Sequence, residues 1–306
     1  MNEILNIESI DSFHKILGLT PPDHPLISII SDKESLGRAD FDEALFNIRF
    51  STNMYAIMYK DNISGSLSYG RNTYDFQEGT LIFVQPGQVL KTPDKSEVMG
   101  KRGWTLLFHP DLLHNSNLAT KMNTYNFFSY ESNEALHLSN KEKVFVAGVI
   151  NQIKGEIAQN LDQHSQKLIV SSLELFLNYA LRFYDRQFFT RTKVNSDYVT
   201  SFEKALNQYF ENGQAKINGI PTAVYFGEQL NLSPNYLSDL LKRETGKGIK
   251  EYTDEYVIAK AKILLLNSSI SVSELAYELG FDYPQSFTRL FRKKTGHSPK
   301  DFRTAS

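Results

Sequence analysis

Apolar residues alternate over short distances in the first part of the chain and follow a helical period in the rest. Residues 45–50, 54–60, 65–69, 80–84 and 103–108 are short runs rich in β-branched and aromatic side chains. Turn residues bound them: Asp61-Asn62, Glu78-Gly79, Pro86-Gly87 and Pro93-Asp94. A helix over 10–17, the turn Pro21-Pro22-Asp23-His24-Pro25 and a strand over 26–30 are expected ahead of them. Such spacing predicts a sandwich or small barrel. From residue 110 the period lengthens. Val146, Val149, Ile153, Ile157 and Leu161 share one face of a helix over 141–161. Leu168, Ile169, Leu173, Phe176, Ala180 and Phe183 do so over 165–189. Residues 191–196 are polar and unpatterned and predict a linker. A helix over 197–211 follows, ended by Asn212-Gly213.

The last third repeats itself. Pro234, Leu240, Thr245 and Gly246 recur as Pro284, Leu290, Thr295 and Gly296, and Asn235 is answered by Gln285, Leu237 by Phe287, Ser238 by Thr288 and Lys242 by Arg292. Upstream of each Pro the offset falls from 50 to 49, so the second copy holds one extra residue, Tyr283. Each copy predicts helix, tight turn, helix. Gly227 and Ala276 are small where a second helix must approach. Asn231 and Gly280 tolerate a left-handed backbone. Ser233 and Asp282 are the expected N-caps. Leu237 with Leu240, and Phe287 with Leu290, form the buried stripes. These are helix-turn-helix units near 222–246 and 271–296, whose second helices suit a DNA major groove. Residues 249–266 are helical in pattern. At 1.5 Å per residue they make a spacer of roughly 25 Å, which could set two such helices in successive grooves.

These residues, with the closing run Ser273-Glu274-Leu275-Ala276-Tyr277-Glu278-Leu279-Gly280-Phe281 and then Phe287, Phe291, Gly296, Ser298-Pro299 and Phe302-Arg303, resemble the DNA-binding domain of the AraC/XylS family of bacterial transcription regulators. The resemblance covers about a third of the chain. It implies a DNA-binding regulator that contacts RNA polymerase and, in many members, a preceding cupin-like barrel that holds an effector. Residues 69–88 are similar to the turn-and-strand passage of such a barrel, and the two long helices resemble the family's dimerisation element. The chain departs from the pattern at Val257, where the family often has Arg, so that arginine's salt bridge is absent.

Early exposed positions of a recognition helix reach base edges. In the second unit these are Gln285, Ser286 and Arg289. Gln pairs bidentately with adenine and Arg with guanine, and Gln285 and Arg289 match positions the family uses for base contact. Arg292, Lys293 and Thr288 suit phosphates. In the first unit Asn235, Ser238 and Asp239 are the base-contact candidates, and Lys242 is the phosphate anchor. The acidic, short side chains there predict weaker reading than in unit two.

Net charge is −2, which by itself argues against nucleic acid. Its distribution changes the picture. Residues 198–306 hold 14 Lys and Arg against 12 Asp and Glu, leaving 19 against 23 for the rest. Local charge governs phosphate contact, and Lys242, Arg243, Arg289, Arg292, Lys293 and Lys294 gather at the recognition helices. With no cysteine, thiol chemistry, disulfides and Cys-based zinc sites are excluded. The N-terminus lacks a signal-peptide pattern, and no apolar run reaches the roughly 20 residues that span a bilayer. A cytoplasmic protein without membrane contact is expected.

The strand-rich region offers few candidates for chemistry. Of seven histidines, His109 and His114 are the closest pair; they are either a metal pair or capping residues around Pro110. No phosphate loop, strained Ser elbow or paired carboxylates stand out, so neither an enzyme nor a cofactor or metal site is expected. Tyr59, Trp104 and neighbouring aromatics line an effector pocket or fill a core. Arg49 and Arg71 hold an anionic effector if they face inward, and are solvated charges if outward.

The expectation is an α+β two-domain protein. Residues 1–190 form a cupin-like β-barrel with long helices over 141–190, for sensing and homodimerisation, and 197–306 form an all-α double helix-turn-helix domain on double-stranded DNA. A constitutive DNA-binding protein with a ligand-free N-terminal domain, or a cupin enzyme fused to a DNA-binding domain, are the alternatives.

Overall fold

A computed structural model describes residues 4–32, 42–46, 48–61, 67–69, 72–74, 79–92, 102–131, 134–159, 162, 164–190 and 192–304. Internal contacts divide the chain into two compact units, 1–187 and 188–306.

The first unit begins with β1 (Leu5–Ile7), α1 (Ile10–Ile16) and β2 (Ile27–Ser31). Then come β3 (Arg49–Thr52), β4 (Tyr55–Asp61), β5 (Leu67–Tyr69), β6 (Asn72–Tyr74), β7 (Thr80–Val84), β8 (Val89–Lys91) and β9 (Arg102–Phe108). A short helix α2 (Asn117–Lys121), the two-residue strand β10 (Leu136–His137), and the long helices α3 (Asn140–Ile157) and α4 (Ser165–Thr190) complete it; α4 runs on into the second unit.

The central sheet has the antiparallel order β10-β7-β4-β9-β2. Both of its faces are covered, so its strands do not read as a simple apolar-polar alternation. On one face Ile57, Phe83 and Leu106 are aligned, and Phe83 meets aromatics from the 3-10 turn Asn126–Ser129 and from α4, while Phe108 stacks on its cross-strand partner Tyr55 at 5.0 Å. Phe83 lies 4.5 Å from Phe127, and Phe127 stacks on Tyr184 at 5.4 Å. On the other face Ala56, Val84 and Leu107 pack with Ile7, Ile10, Ile30 and Met54. A three-stranded sheet, β1-β3-β8, and the antiparallel pair β5-β6 are separate from it in hydrogen bonding.

The region is strand-rich as expected, but among the described residues its strands make open sheets, not the closed barrel expected from the sequence. Closure depends on which distant strands pair, and strand composition does not carry that information. The long helices bury most of the residues their periodicity named, but α3 ends at Ile157, short of the expected 161, Leu161 lies outside the described residues, and Leu168 is exposed. Ser139 and Glu142 form a capping box at the start of α3, and Arg186 on α4 donates to Glu142 at 2.9 Å. No helix among the described residues is long and apolar enough to cross a membrane.

The second unit is all helical: α5 (Thr192–Glu211), α6 (Gln214–Asn218), α7 (Ala223–Leu230), α8 (Pro234–Thr245), α9 (Ile249–Asn267), α10 (Val272–Glu278), α11 (Pro284–Thr295) and α12 (Pro299–Thr304). Residues 192–196, expected in a linker, belong to the first turns of α5. Their polarity hid the helix because its apolar anchors, Phe202, Leu206 and Tyr209, come later. Phe202 packs on Phe226 of α7 at 4.6 Å and on Tyr252 of α9 at 5.4 Å. At the start of the unit, buried Asn195 donates to the Phe188 carbonyl at 2.8 Å and to Glu244 of α8 at 2.9 Å.

Candidate nucleic-acid interface

Helices α7 and α8 make the first helix-turn-helix, and α10 and α11 the second. The turns are built as the residue types require. A Cβ on Gly227 would lie 2.6 Å from the Leu232 carbonyl oxygen, so only glycine admits this approach. Asn231 has φ 54 and Gly280 φ 88, both left-handed. Ser233 caps α8, its hydroxyl accepting from the Tyr236 amide at 3.2 Å. The second unit differs from expectation: the N-cap of α11 is the extra residue Tyr283, not Asp282, and it makes no side-chain cap bond. The insertion moves the helix start by one position. Gly246 and Gly296, with φ 78 and 81, end α8 and α11.

At 3.6 residues per turn, Gln285, Arg289 and Arg292 fall on one side of α11, and all three are exposed, as is Lys293. Phe287 and Phe291, on the opposite side, are fully buried. On α8 the same side carries exposed Asn235 and Lys242 and half-buried Asp239, with Leu237, Leu240 and Leu241 buried opposite.

The structure places the smaller candidates less outwardly. Ser238 is half-buried, its hydroxyl against Gly248 in the turn before α9, where a glycine Cβ would meet it at 3.1 Å. Its counterpart Thr288 donates its hydroxyl to the Pro284 carbonyl at 3.0 Å, within its own helix. Ser286 is half-buried, and its positional counterpart in the first copy is Tyr236, which is buried 5.0 Å from Phe188.

Two of the six clustered cations are turned to other work. Arg243 lies 4.9 Å over the Phe188 ring. Lys294 reaches the carboxylates of Glu255 at 3.5 Å and Glu251 at 3.8 Å on α9. Sequence reasoning missed these acidic partners, although their i, i+4 spacing on a helix was a signal for a shared charged face. Val257 is fully buried in α9, so the position where the family often has Arg serves the apolar core here. Arg303 fastens the end of α9 to the next turn, donating to the carbonyls of Leu265 at 3.1 Å and Ile270 at 2.6 Å.

The first unit's candidates divide differently. Tyr59 and Trp104 are cross-strand partners stacked at 5.6 Å, and Trp104 meets Phe176 of α4 at 6.5 Å, so this pair fills the layer between sheet and helix. Burial, reinforced by Asp61, raises the Tyr59 hydroxyl above its usual range. Arg49 is exposed and pairs in register with Lys91; Arg71 lies outside the described residues. His109 is an N-cap whose Nδ1 accepts from the Asp111 amide at 3.2 Å. A cavity of about 740 Å³ opens elsewhere, beside α1, β2 and α3, lined by His14, Thr20, Ser28, Ile30, Lys154 and Ile157. At its wall His14 joins the Thr20 carbonyl at 2.6 Å and the Ser28 hydroxyl at 2.8 Å.

Two helix-turn-helix units joined by one helix, each with a polar or basic outer side on its second helix, define the class of a double helix-turn-helix domain. Comparison with known proteins agrees. Residues 226–305 match the family described as a helix-turn-helix domain. The uncharacterized transcriptional regulatory protein YesN of Bacillus subtilis (strain 168) is 38% identical over 78 residues, 25% of this chain and 21% of that protein. The uncharacterized HTH-type transcriptional regulator YijO of Escherichia coli (strain K12) is 28% identical over 159 residues, 52% of this chain and 51% of that protein. The HTH-type transcriptional activator RhaS of Escherichia coli O139:H28 (strain E24377A / ETEC) is 38% identical over 76 residues, 25% of this chain and 27% of that protein. The chain thus spans from about a fifth to about half of these relatives' length. Residues 226–305 thus carry an AraC-type helix-turn-helix domain.

Proposed function

We propose that this protein is a sequence-specific transcription regulator that binds double-stranded DNA through α8 and α11. The observation that carries this reading is the exposed side of α11, where Gln285 and Arg289 stand ahead of Arg292 and Lys293 on a helix whose other side is core. Gln285 and Arg289 read bases, while Arg292 and Lys293 hold phosphates. The α8 helix contributes Asn235 and the phosphate anchor Lys242, with Asp239 limiting its attraction to DNA. Ser286, Ser238 and Thr288 are secondary contacts, because their hydroxyls sit closer to their own fold.

The first unit supplies homodimerisation through α3 and α4 and senses a small-molecule effector. The cavity beside α1 has a volume within the range that holds small ligands, roughly 300–1,000 Å³, and is a better seat for one than the packed Tyr59–Trp104 pair. RNA polymerase is the partner through which bound protein acts on transcription.

Selection of bound sequences from a random DNA pool, followed by affinity measurements on variants, tests the reading. Arg289→Ala should lose about 1–3 kcal/mol on the selected site and relax the preference at one base pair. Arg292→Ala should weaken binding on all sequences alike and flatten its salt dependence. Unchanged affinity and preference in Arg289→Ala would mean that α11 does not enter the groove by this side.

A further inference from the structure

The inner face of α9 is apolar. Val257, Ile258, Ala261 and Leu265 are buried there, and the buried Thr253 hydroxyl has no hydrogen-bond partner among the described residues. Apolar packing is non-directional in its driving force, so a directed contact on the other side of the helix adds a constraint that burial does not supply. The outer side of the same helix carries a directed contact. Glu255 accepts a hydrogen bond at 2.5 Å from Lys247, in the turn that leaves α8, through one carboxylate oxygen. Its other oxygen lies 3.5 Å from Lys294, in the last turn of α11, which Glu251 also approaches at 3.8 Å. A single carboxylate is therefore held by one cation from the turn that leaves the first helix-turn-helix and one from the last turn of the second. Lys247, first, and Lys294 hold the Glu255 carboxyl below its usual range, so it stays charged near neutral pH.

We infer that Glu255 is a positioning residue: through Lys247 and Lys294 it sets the separation and rotation of α8 and α11, and so the spacing of the two segments of DNA they read. This rests on the DNA-binding reading above. Exposed ion pairs contribute little to stability, and the Glu255 carboxylate is about two-fifths exposed. Loss of the link should therefore show in geometry and not in folding.

The test uses the full chain and the DNA site selected by it, with the spacing between the two contacted segments kept or changed by one base pair. Wild-type protein should bind the changed spacings about tenfold more weakly, since half-site spacing is a geometric constraint. Glu255→Gln should keep its unfolding midpoint within about 4 °C and the same base preferences, but discriminate the spacings less than threefold. Raising the salt concentration should bring wild type toward the variant. If Glu255→Gln fails to fold, Lys294→Gln breaks the α11 arm alone and should give the same loss. Full discrimination in a folded variant overturns the positioning role and leaves DNA reading intact, whereas a wild type that selects no sequence overturns both.

Discussion

His24 is buried, and its Nδ1 accepts from the Leu26 amide at 3.0 Å. Burial lowers its pKa from 6.5, so the unfolded chain takes up a proton near that pH while the folded chain resists it. The unfolded state then binds more protons, and stability falls as the pH drops from 6.5 toward the folded value. Thermal melts of the protein at pH 7.5 and 5.5 should show this decline, and His24→Gln should make it shallower. An equal decline in the variant would assign the pH dependence elsewhere. Glu274 acts in a lower range: hydrogen bonds to Ser271 in the α10 capping box depress its pKa, so its contribution is present above 4.5 and fades as the pH falls further.

Among the elements, the turns are more sensitive to substitution than the helices they join. Gly227 has no room for a Cβ because the Leu232 carbonyl closes over it, and Pro234 lies 3.4 Å from the same point. Gly227→Ala should force α7 and α8 apart, at a cost of about 1–3 kcal/mol. Denaturant unfolding would measure this, and DNA affinity should fall with it. A substitution without effect on either would mean that the turn relaxes freely. Gly213, left-handed at φ 67 and with open space around it, owes its identity to backbone conformation alone.

For the whole molecule, contacts place the division at 187–188, inside the last turn of α4. Residues 188–306 should fold alone and bind DNA as a monomer. A fragment starting at 197 should melt at a lower temperature, because it lacks Phe188, which packs on Tyr236 and Arg243, and Asn195, which binds Glu244. Analytical ultracentrifugation should find self-association in the 1–187 fragment, through α3 and α4. A panel of small molecules should include one that raises that fragment's melting temperature, since a ligand of the folded state stabilises it. A monomeric 1–187 fragment beside a dimeric 188–306 fragment would reverse this division of labour. Failure of every small molecule tried would favour constitutive binding.

The repeat with its offset of 50, the Gly and Asn turn positions and the buried pair Leu237 and Leu240 were legible in the sequence because they are local; of the matching pair, Phe287 is buried but Leu290 only half-buried, with Phe291 buried in its place. Each follows from backbone sterics or helical period within a few residues. The outward side of α11, with Gln285 and Arg289, was legible for the same reason. Tertiary structure alone decided the rest. It turned Ser238 toward Gly248, buried Tyr236 at the position matching Ser286, and engaged Arg243 and Lys294 away from the outer side. It also left the sheets of the first unit open among the described residues. Apart from Ser238, whose partner follows in the next turn, the deciding partner lies far along the chain: Phe188 for Tyr236 and Arg243, Glu255 for Lys294, and the pairing of distant strands for the sheet. Local pattern determines which elements form and which face each buries, whereas contacts between distant segments determine which exposed groups remain free to act.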